Sequence, residues 1–395
     1  MDLCIVALSG LILRSKIVFS LPSVNFNNLL AGHSHFAFGG WVTLVLMVLM
    51  KSELLPGSVN EKPVYQWIFG GIAICAWAMF FAYISTGYSS LSIFVTILFI
   101  FFTYMFAWFF VRDVLQTKLN LSSKILAISS LTSLAISSAG TFIISFIFLT
   151  KSNNAFLYRD ALFTYLHFQY NGFFTLAIFS LLFNNIDNIV NETTRKSIFR
   201  FAFMLSISVI PSWSLSFLWL DHGLLFRVAA MGSSFLLLIT LVLFFQTAQS
   251  LKSIFGRQTR IIRVLVFLSI CSFMLKVFLQ IFTIVPEVSQ AIFGNRPIIM
   301  GFLHLVFLGF VSLFALALLV KRRFLDGSQK FTKIALAVFA TGIIVNESLL
   351  ISQGLITIFT PATSLFNWLL WVAGIWLVFG SVLITIARFQ IRKLR

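Results

Sequence analysis

The stretch GHSHFAFGGWVTLVLM, residues 32–47, decides how the chain is read. Apart from two histidines, a serine and a threonine it is apolar, and it contains no Asp, Glu, Lys or Arg. It sits in a longer apolar run, about residues 28–50, which is the length needed to cross a bilayer as a helix. His33 and His35 are two residues apart. On a helix that separation is about 200°, so the two imidazoles face opposite sides.

The rest of the chain has the same character. Of its 395 residues 59% are hydrophobic and only 10% charged, with mean hydropathy +1.01. This composition excludes a soluble enzyme, a disordered chain and a disulfide scaffold. Apolar runs between polar breaks predict twelve membrane helices, at about 3–20, 28–50, 65–86, 90–111, 125–149, 162–184, 200–220, 226–247, 262–284, 298–320, 333–353 and 363–387. The first is short and interrupted by Arg14 and Lys16. No small-residue cleavage site follows it, so it reads as retained rather than as a cleaved signal. The fold class expected is all-α and polytopic, in a single integral membrane domain.

The net charge of +17 does not mark a nucleic-acid binder, because the basic residues cluster at the ends of the apolar runs. Counted by connection, 21 fall on one side and four on the other. The positive-inside rule then places both termini in the cytoplasm, in a membrane expected to be a bacterial inner membrane. Cys4, Cys75 and Cys271 lie singly inside apolar runs. The chain has no CxxC or CxxCH, which excludes a zinc knuckle and a covalently attached c-type haem.

The motif of residues 32–47 recurs. The segments YLHFQYNGFF, residues 165–174, and FLHLVFLGFV, residues 302–311, share its His-x4-Gly spacing: His35 with Gly40, His167 with Gly172, His304 with Gly309. His35 and His167 are 132 residues apart, and His167 and His304 are 137 apart, each close to a third of the chain. The three fall on the second, sixth and tenth spans. This predicts three pseudo-symmetric four-helix units, at about residues 1–124, 125–260 and 261–395, each offering an imidazole at one depth. Repeats of this kind build sites at their interfaces. The glycine a turn below each histidine admits a flat ligand or a neighbouring helix close to the backbone.

Other polar residues gather around this frame. Arg159 and Arg296 each precede a repeat histidine by eight residues, about 12 Å along a helix, which puts both at the outer surface. They read either as interfacial anchors or as partners for the carboxylates of a cofactor. Arg14 and Arg227 are weaker examples of the same kind. Tyr165, Gln169, Tyr170 and Asn171 surround His167, to orient it or to join helices. Asn346, Glu347 and Lys276 lie within spans and suggest a proton path or a buried pair. The fifth histidine, His222, falls beside Asp221 in an outer loop and reads as solvated.

The segment of residues 32–47 resembles the His-x-His helix of the haem–copper oxidase superfamily, especially its nitric oxide reductase and cbb3-type branches. The segment GFLHLVFLGFVSL, residues 301–313, also resembles the NnrS-type membrane haem–copper proteins. The resemblance implies twelve helices in three arcs around three pores, with ligands on helices 2, 6 and 10. It implies haem b, one or two per chain, held by His33, His35, His167 and His304, with Arg159 and Arg296 near the propionates. With the family's roles rotated, His35 pairs with His167 on a low-spin haem, and His33 holds a second haem near His304. In the family the His-x-His helix is the tenth, whereas here it is the second. The family's adjacent His-His pair has no counterpart, so a copper site, if any, is incomplete.

The function expected is electron transfer, or binding or reduction of a small gas such as nitric oxide or oxygen, in an oxidoreductase-like cytochrome. Expected partners are the lipid bilayer, an electron-donor protein or quinol, and further membrane subunits. A transporter or channel without a redox cofactor, and a copper-handling membrane protein, are the alternatives.

Overall fold

The structure, a computed structural model, describes residues 1–57, 62–186, 189–220, 223–359 and 364–393. His222 and Asp221 lie outside the described residues. The described chain is helical, with no strand among the described residues. The long helices are α1 (Asp2–Val18), α2 (Phe26–Leu54), α3 (Pro63–Thr86), α4 (Ser90–Leu115), α5 (Leu121–Leu149) and α6 (Ala155–Asn184). They continue as α7 (Glu192–Phe217), α8 (Leu224–Gly256), α9 (Arg260–Phe282), α10 (Arg296–Lys321), α11 (Lys330–Phe359) and α12 (Ser364–Lys393). A nine-residue helix, Pro286–Gly294, precedes α10.

Eleven of these, α2 to α12, are long and apolar enough to cross a membrane. The exception is α1, whose 17 residues make about 25 Å of helix against a hydrocarbon core of about 30 Å. The run 200–220 is displaced to Glu192–Phe217 because its polar leader is helical too. Asn191 caps that leader by accepting from the Thr194 backbone N–H.

Each long helix packs on the next, and α1 packs on α12, closing the chain into a ring. Most of the helices keep a lipid-facing side, shown by exposed Trp67, Phe94, Trp108 and Phe235. By contrast, α6 is buried nearly all round: Phe173, Phe174, Leu176, Ala177, Ile178 and Phe179 have no exposed surface. In lipid the outward faces gain nothing from leaving water, so close packing sets the helix contacts.

The three helices that carry the His-x4-Gly segments, α2, α6 and α10, have the same internal structure. Each opens on an asparagine cap: Asn25, Asn154 and Asn295 accept from the backbone N–H of Asn28, Leu157 and Ile298. Each then widens into a π-helical stretch just past its histidine, at Ala37–Thr43, Phe168–Phe174 and Leu305–Ser312. Such stretches are rare and concentrate at functional sites. Hydroxyl side chains support two of them, Thr175 donating to the Tyr170 carbonyl at 2.5 Å and Ser312 to the Phe307 carbonyl at 2.7 Å.

The repeat glycines lie within these stretches. A Cβ at Gly172 would collide with Ser133 of α5, and one at Gly309 with Ser272 of α9. Both therefore admit a neighbouring helix rather than a ligand. At Gly40 the room is taken by the ring of Phe36 from the same helix.

The three helices also meet one another. Phe38 of α2 and Phe307 of α10 stack edge to face at 4.3 Å, and Phe174 of α6 completes the aromatic contact. At their C-terminal ends, Glu53 of α2 pairs with Arg322 just past α10 and accepts from Asn185, beyond α6, at 3.1 Å.

Candidate functional site

His33 and His304 lie within electrostatic range of each other. His33 lies on the α1 side of α2, where Gly10 leaves space for its ring. Its Nδ1 lies 2.9 Å from the hydroxyl of Ser9. That hydroxyl gives its own proton to the carbonyls of Ile5 and Val6. With that proton on the carbonyls, the hydroxyl accepts from Nδ1, which is the tautomer that leaves the Nε2 lone pair of His33 open. His304 Nδ1 donates to the Met300 carbonyl at 2.7 Å, fixing the same tautomer. His304 lies within electrostatic range of both His33 and Arg14.

A polar cluster from α1 and α11 stands beside this pair. Arg14 donates to Asn346 Oδ1 at 2.6 Å and to the Leu370 carbonyl at 2.5 Å. Asn346 passes the contact on, donating to Glu347 Oε1 at 2.8 Å. The amide thus bridges a guanidinium and a carboxylate inside the bilayer, where either charge alone is costly. Glu347 Oε2 is buried without a hydrogen-bond partner among the described residues.

His35 faces the other way, as the two-residue spacing requires. Its ring stacks on Tyr83 with centroids 4.1 Å apart, and the Tyr88 hydroxyl lies 3.5 Å from its Nε2. It borders a cavity of about 40 Å³ between α2, α3, α4, α5 and α6, rimmed by Thr96, Thr103, Ser137, Tyr165 and Gln169. That is room for a water or a diatomic molecule and far less than a haem fills.

His167 is not brought to His35. It turns towards α7, where Nε2 donates to the Val209 carbonyl at 2.8 Å. Nδ1 faces the Asn171 amide at 3.0 Å and the Ser216 hydroxyl at 3.3 Å. The ring has no exposed surface, and both nitrogens have hydrogen-bond partners. The residues facing His35 from α6 are Tyr165 and Gln169, two positions to either side of His167 and so on the opposite face. Of the four polar neighbours expected around His167, Asn171 is the one whose hydrogen bond to the imidazole is seen.

Arg159 and Arg296 lie towards the N-terminal ends of α6 and α10, and both sit over aromatic rings. The Arg159 guanidinium is 4.5 Å from the Trp219 ring, and that of Arg296 is 5.1 Å from the Phe26 ring. This is cation–π packing at a helix end.

Lys276 is 1% exposed. It donates to Thr175 Oγ1 at 2.9 Å and lies 3.4 Å from the Tyr170 carbonyl, within the π-helical turn of α6. Its place is structural, on the widened turn, rather than in a carboxylate pair. Among the described residues no three His, Cys, Asp or Glu side chains gather as a metal site. The contributions of Ser9 and Tyr83 carried no sequence signal, because isolated hydroxyls in membrane helices are common.

No protein-family model and no curated protein sequence matches the chain. A cryo-electron-microscopy structure of a haem–copper terminal oxidase dimer does match in shape. The match covers 98% of this chain and 81% of that one, with TM-score 0.71 and 15% sequence identity. The chain has a haem–copper oxidase-like fold. At this identity the likeness is one of fold, and the part played by each histidine rests on the contacts described above.

Proposed function

We propose that the chain is a membrane haem-binding protein acting in electron transfer, or in the binding or reduction of a small gas. The observation that carries this reading is that His33 and His304, within electrostatic range of each other, each set Nδ1 against an oxygen, of Ser9 and of Met300. Neutral imidazole with its second nitrogen tied to an oxygen acceptor is the state that binds a metal. These two residues would hold b-type haem, which supplies one-electron chemistry when bound. Ser9 and the Met300 carbonyl orient the rings, while Arg14, Asn346 and Glu347 set the charge beside them. The His35 cavity is a separate place, of a size for water or a diatomic gas.

The repeated cap, histidine, π-helical turn and glycine support three four-helix units, with α1 as the twelfth span. The charge split supports cytoplasmic termini in a bacterial inner membrane. A quinol or donor protein would supply the electrons, and further subunits would cover part of the lipid-facing surface.

The test is the optical spectrum of the detergent-purified chain from haem-sufficient cells. A pyridine haemochrome of the b type is expected. A colourless preparation would sink the haem reading and favour a transporter. Stoichiometric copper without haem would favour a copper-handling protein.

A further inference from the structure

A large cavity lies away from the histidines. It has a volume of about 1270 Å³ and lies between the N-terminal ends of α9 and α11 and the connection after α10. Its mouth carries Arg260, Lys321, Arg323 and Lys333 against a single carboxylate, Asp326. The Ser328 hydroxyl and backbone N–H both donate to Asp326, at 2.6 and 3.0 Å. These bonds hold its carboxyl below the usual range, so it stays ionised and the mouth keeps a net charge of three.

Two helices begin at this mouth, at Arg260 and Lys330, and their first backbone N–H groups add positive potential. Thr259, at the start of α9, makes no side-chain cap.

Below the mouth the walls change character. Ile262, Leu265, Leu336 and Ala340 line the deeper part, up to about three turns into the spans. The side between α9 and α11 is open, with Val264 and Ala337 both exposed. A site for a soluble anion needs only the basic mouth. A basic mouth at the membrane surface continuous with an apolar trough opening sideways is shaped for a molecule with a charged head and a hydrocarbon tail.

We propose that this cavity binds an anionic phospholipid, its phosphate at Arg260, Arg323 and Lys333 and an acyl chain along the trough between α9 and α11. Basic pockets between membrane helices recognise such headgroups. The binding is reversible and makes no covalent bond. Lys321 also donates to Asn185 at 2.7 Å. An occupied site would therefore abut the contact that joins the ends of α6 and α10.

The experiment uses the full chain in neutral detergent, titrated with short-chain phosphatidylglycerol or phosphatidylcholine and read by native mass spectrometry. Wild type is expected to prefer phosphatidylglycerol by at least tenfold. The triple variant Arg260→Gln, Arg323→Gln, Lys333→Gln should lose that preference, at about fivefold per charge removed. The control Lys196→Gln, Lys252→Gln, near the ends of α7 and α8, should keep it. A second variant, Ala337→Trp, fills the trough and leaves the charges, and it should also weaken binding.

A triple variant that binds phosphatidylglycerol as wild type does would overturn the proposal. Equal binding of phosphatidylcholine would show an apolar groove only. Displacement by millimolar inorganic phosphate, with Ala337→Trp without effect, would show a free-anion site instead. Either result overturns it.

Discussion

Glu53 and Arg322 form an ion pair, and they stand at the same offset from two of the His-x4-Gly histidines, eighteen residues after His35 and His304. Asn185, eighteen residues after His167, donates to the same carboxylate. One position of the repeat thus supplies an acid, an amide and a base that meet where α2, α6 and α10 converge. The Glu53 side chain is 1% exposed and that of Arg322 is 47% exposed, so solvent screens one partner and not the other. Replacing Arg322 with Gln leaves a buried carboxylate with weaker partners. A loss of about 1–3 kcal/mol is expected, reduced by the screening. The double replacement Glu53→Gln, Arg322→Gln should cost less than the sum of the single ones. Thermal unfolding in detergent measures all three, and additive losses would show that the pair does not act as a unit.

The ligand assignment makes a sharper prediction. If His33 and His304 hold haem, His33→Ala and His304→Ala should each abolish or convert the haem spectrum. His167→Ala should leave the spectrum in place and lower stability, because it strands the Val209 carbonyl and the Asn171 amide. Spectral loss in His167→Ala, with the other two unaffected, would restore the pairing of His35 with His167 that the family's rotated roles imply.

The repeat glycines should tolerate side chains unequally. Gly172→Leu and Gly309→Leu press on Ser133 and Ser272 across tight helix contacts, and overpacking of this kind costs about 1–3 kcal/mol. Gly232 has open space where its Cβ would stand, so Gly232→Leu should be close to neutral. Equal melting temperatures for the three variants would mean that the glycines do not set the helix spacing.

Lys276 should prove dispensable as a charge. It bonds a hydroxyl and lies near a carbonyl in the π-helical turn, and no contact to a carboxylate is seen. A buried ion replaced by an apolar side chain of similar volume is commonly neutral or stabilising. Lys276→Met should therefore keep the melting temperature, whereas Lys276→Glu should lower it. A loss of more than about 2 kcal/mol in Lys276→Met would show that the ammonium is needed to hold the widened turn.

Much of this was legible in the chain. The apolar runs mark the helices because every backbone group in lipid must be satisfied within its own helix. The three His-x4-Gly segments mark the central helices and the places where they widen. The direction of His167 was not legible. Helical spacing fixes angles within one helix and says nothing of how that helix is turned against its neighbours. The position shared by Glu53, Asn185 and Arg322 was visible as an offset, but its three residues differ in chemistry, so no search for like residues finds it. Arg14 looked like an interruption of a weak first span, and its partners Asn346 and Leu370 are more than three hundred residues away.

The last prediction concerns orientation. The 21 to four division of basic residues argues that the connections after α2, α6, α8 and α10 face the cytoplasm. The contacts of Glu53, Asn185, Lys321 and Arg322 put three of those connections at one end of the molecule. That common end would hold even if the charge rule misjudged its side. Reporter fusions after residues 57, 190, 255 and 325 should all report cytoplasm. If all four report the opposite side, the polarity is inverted and the helix arrangement survives. If the four disagree, with 57, 190 and 325 on different sides, the convergence of α2, α6 and α10 is wrong as well. A fusion after residue 20, just past α1, separates the remaining question. A signal from the outer side there shows that its 17 residues span the membrane. A cytoplasmic signal, with the rest unchanged, makes α1 a surface helix and removes the membrane setting from Ser9 and Arg14, and with it the support of His33.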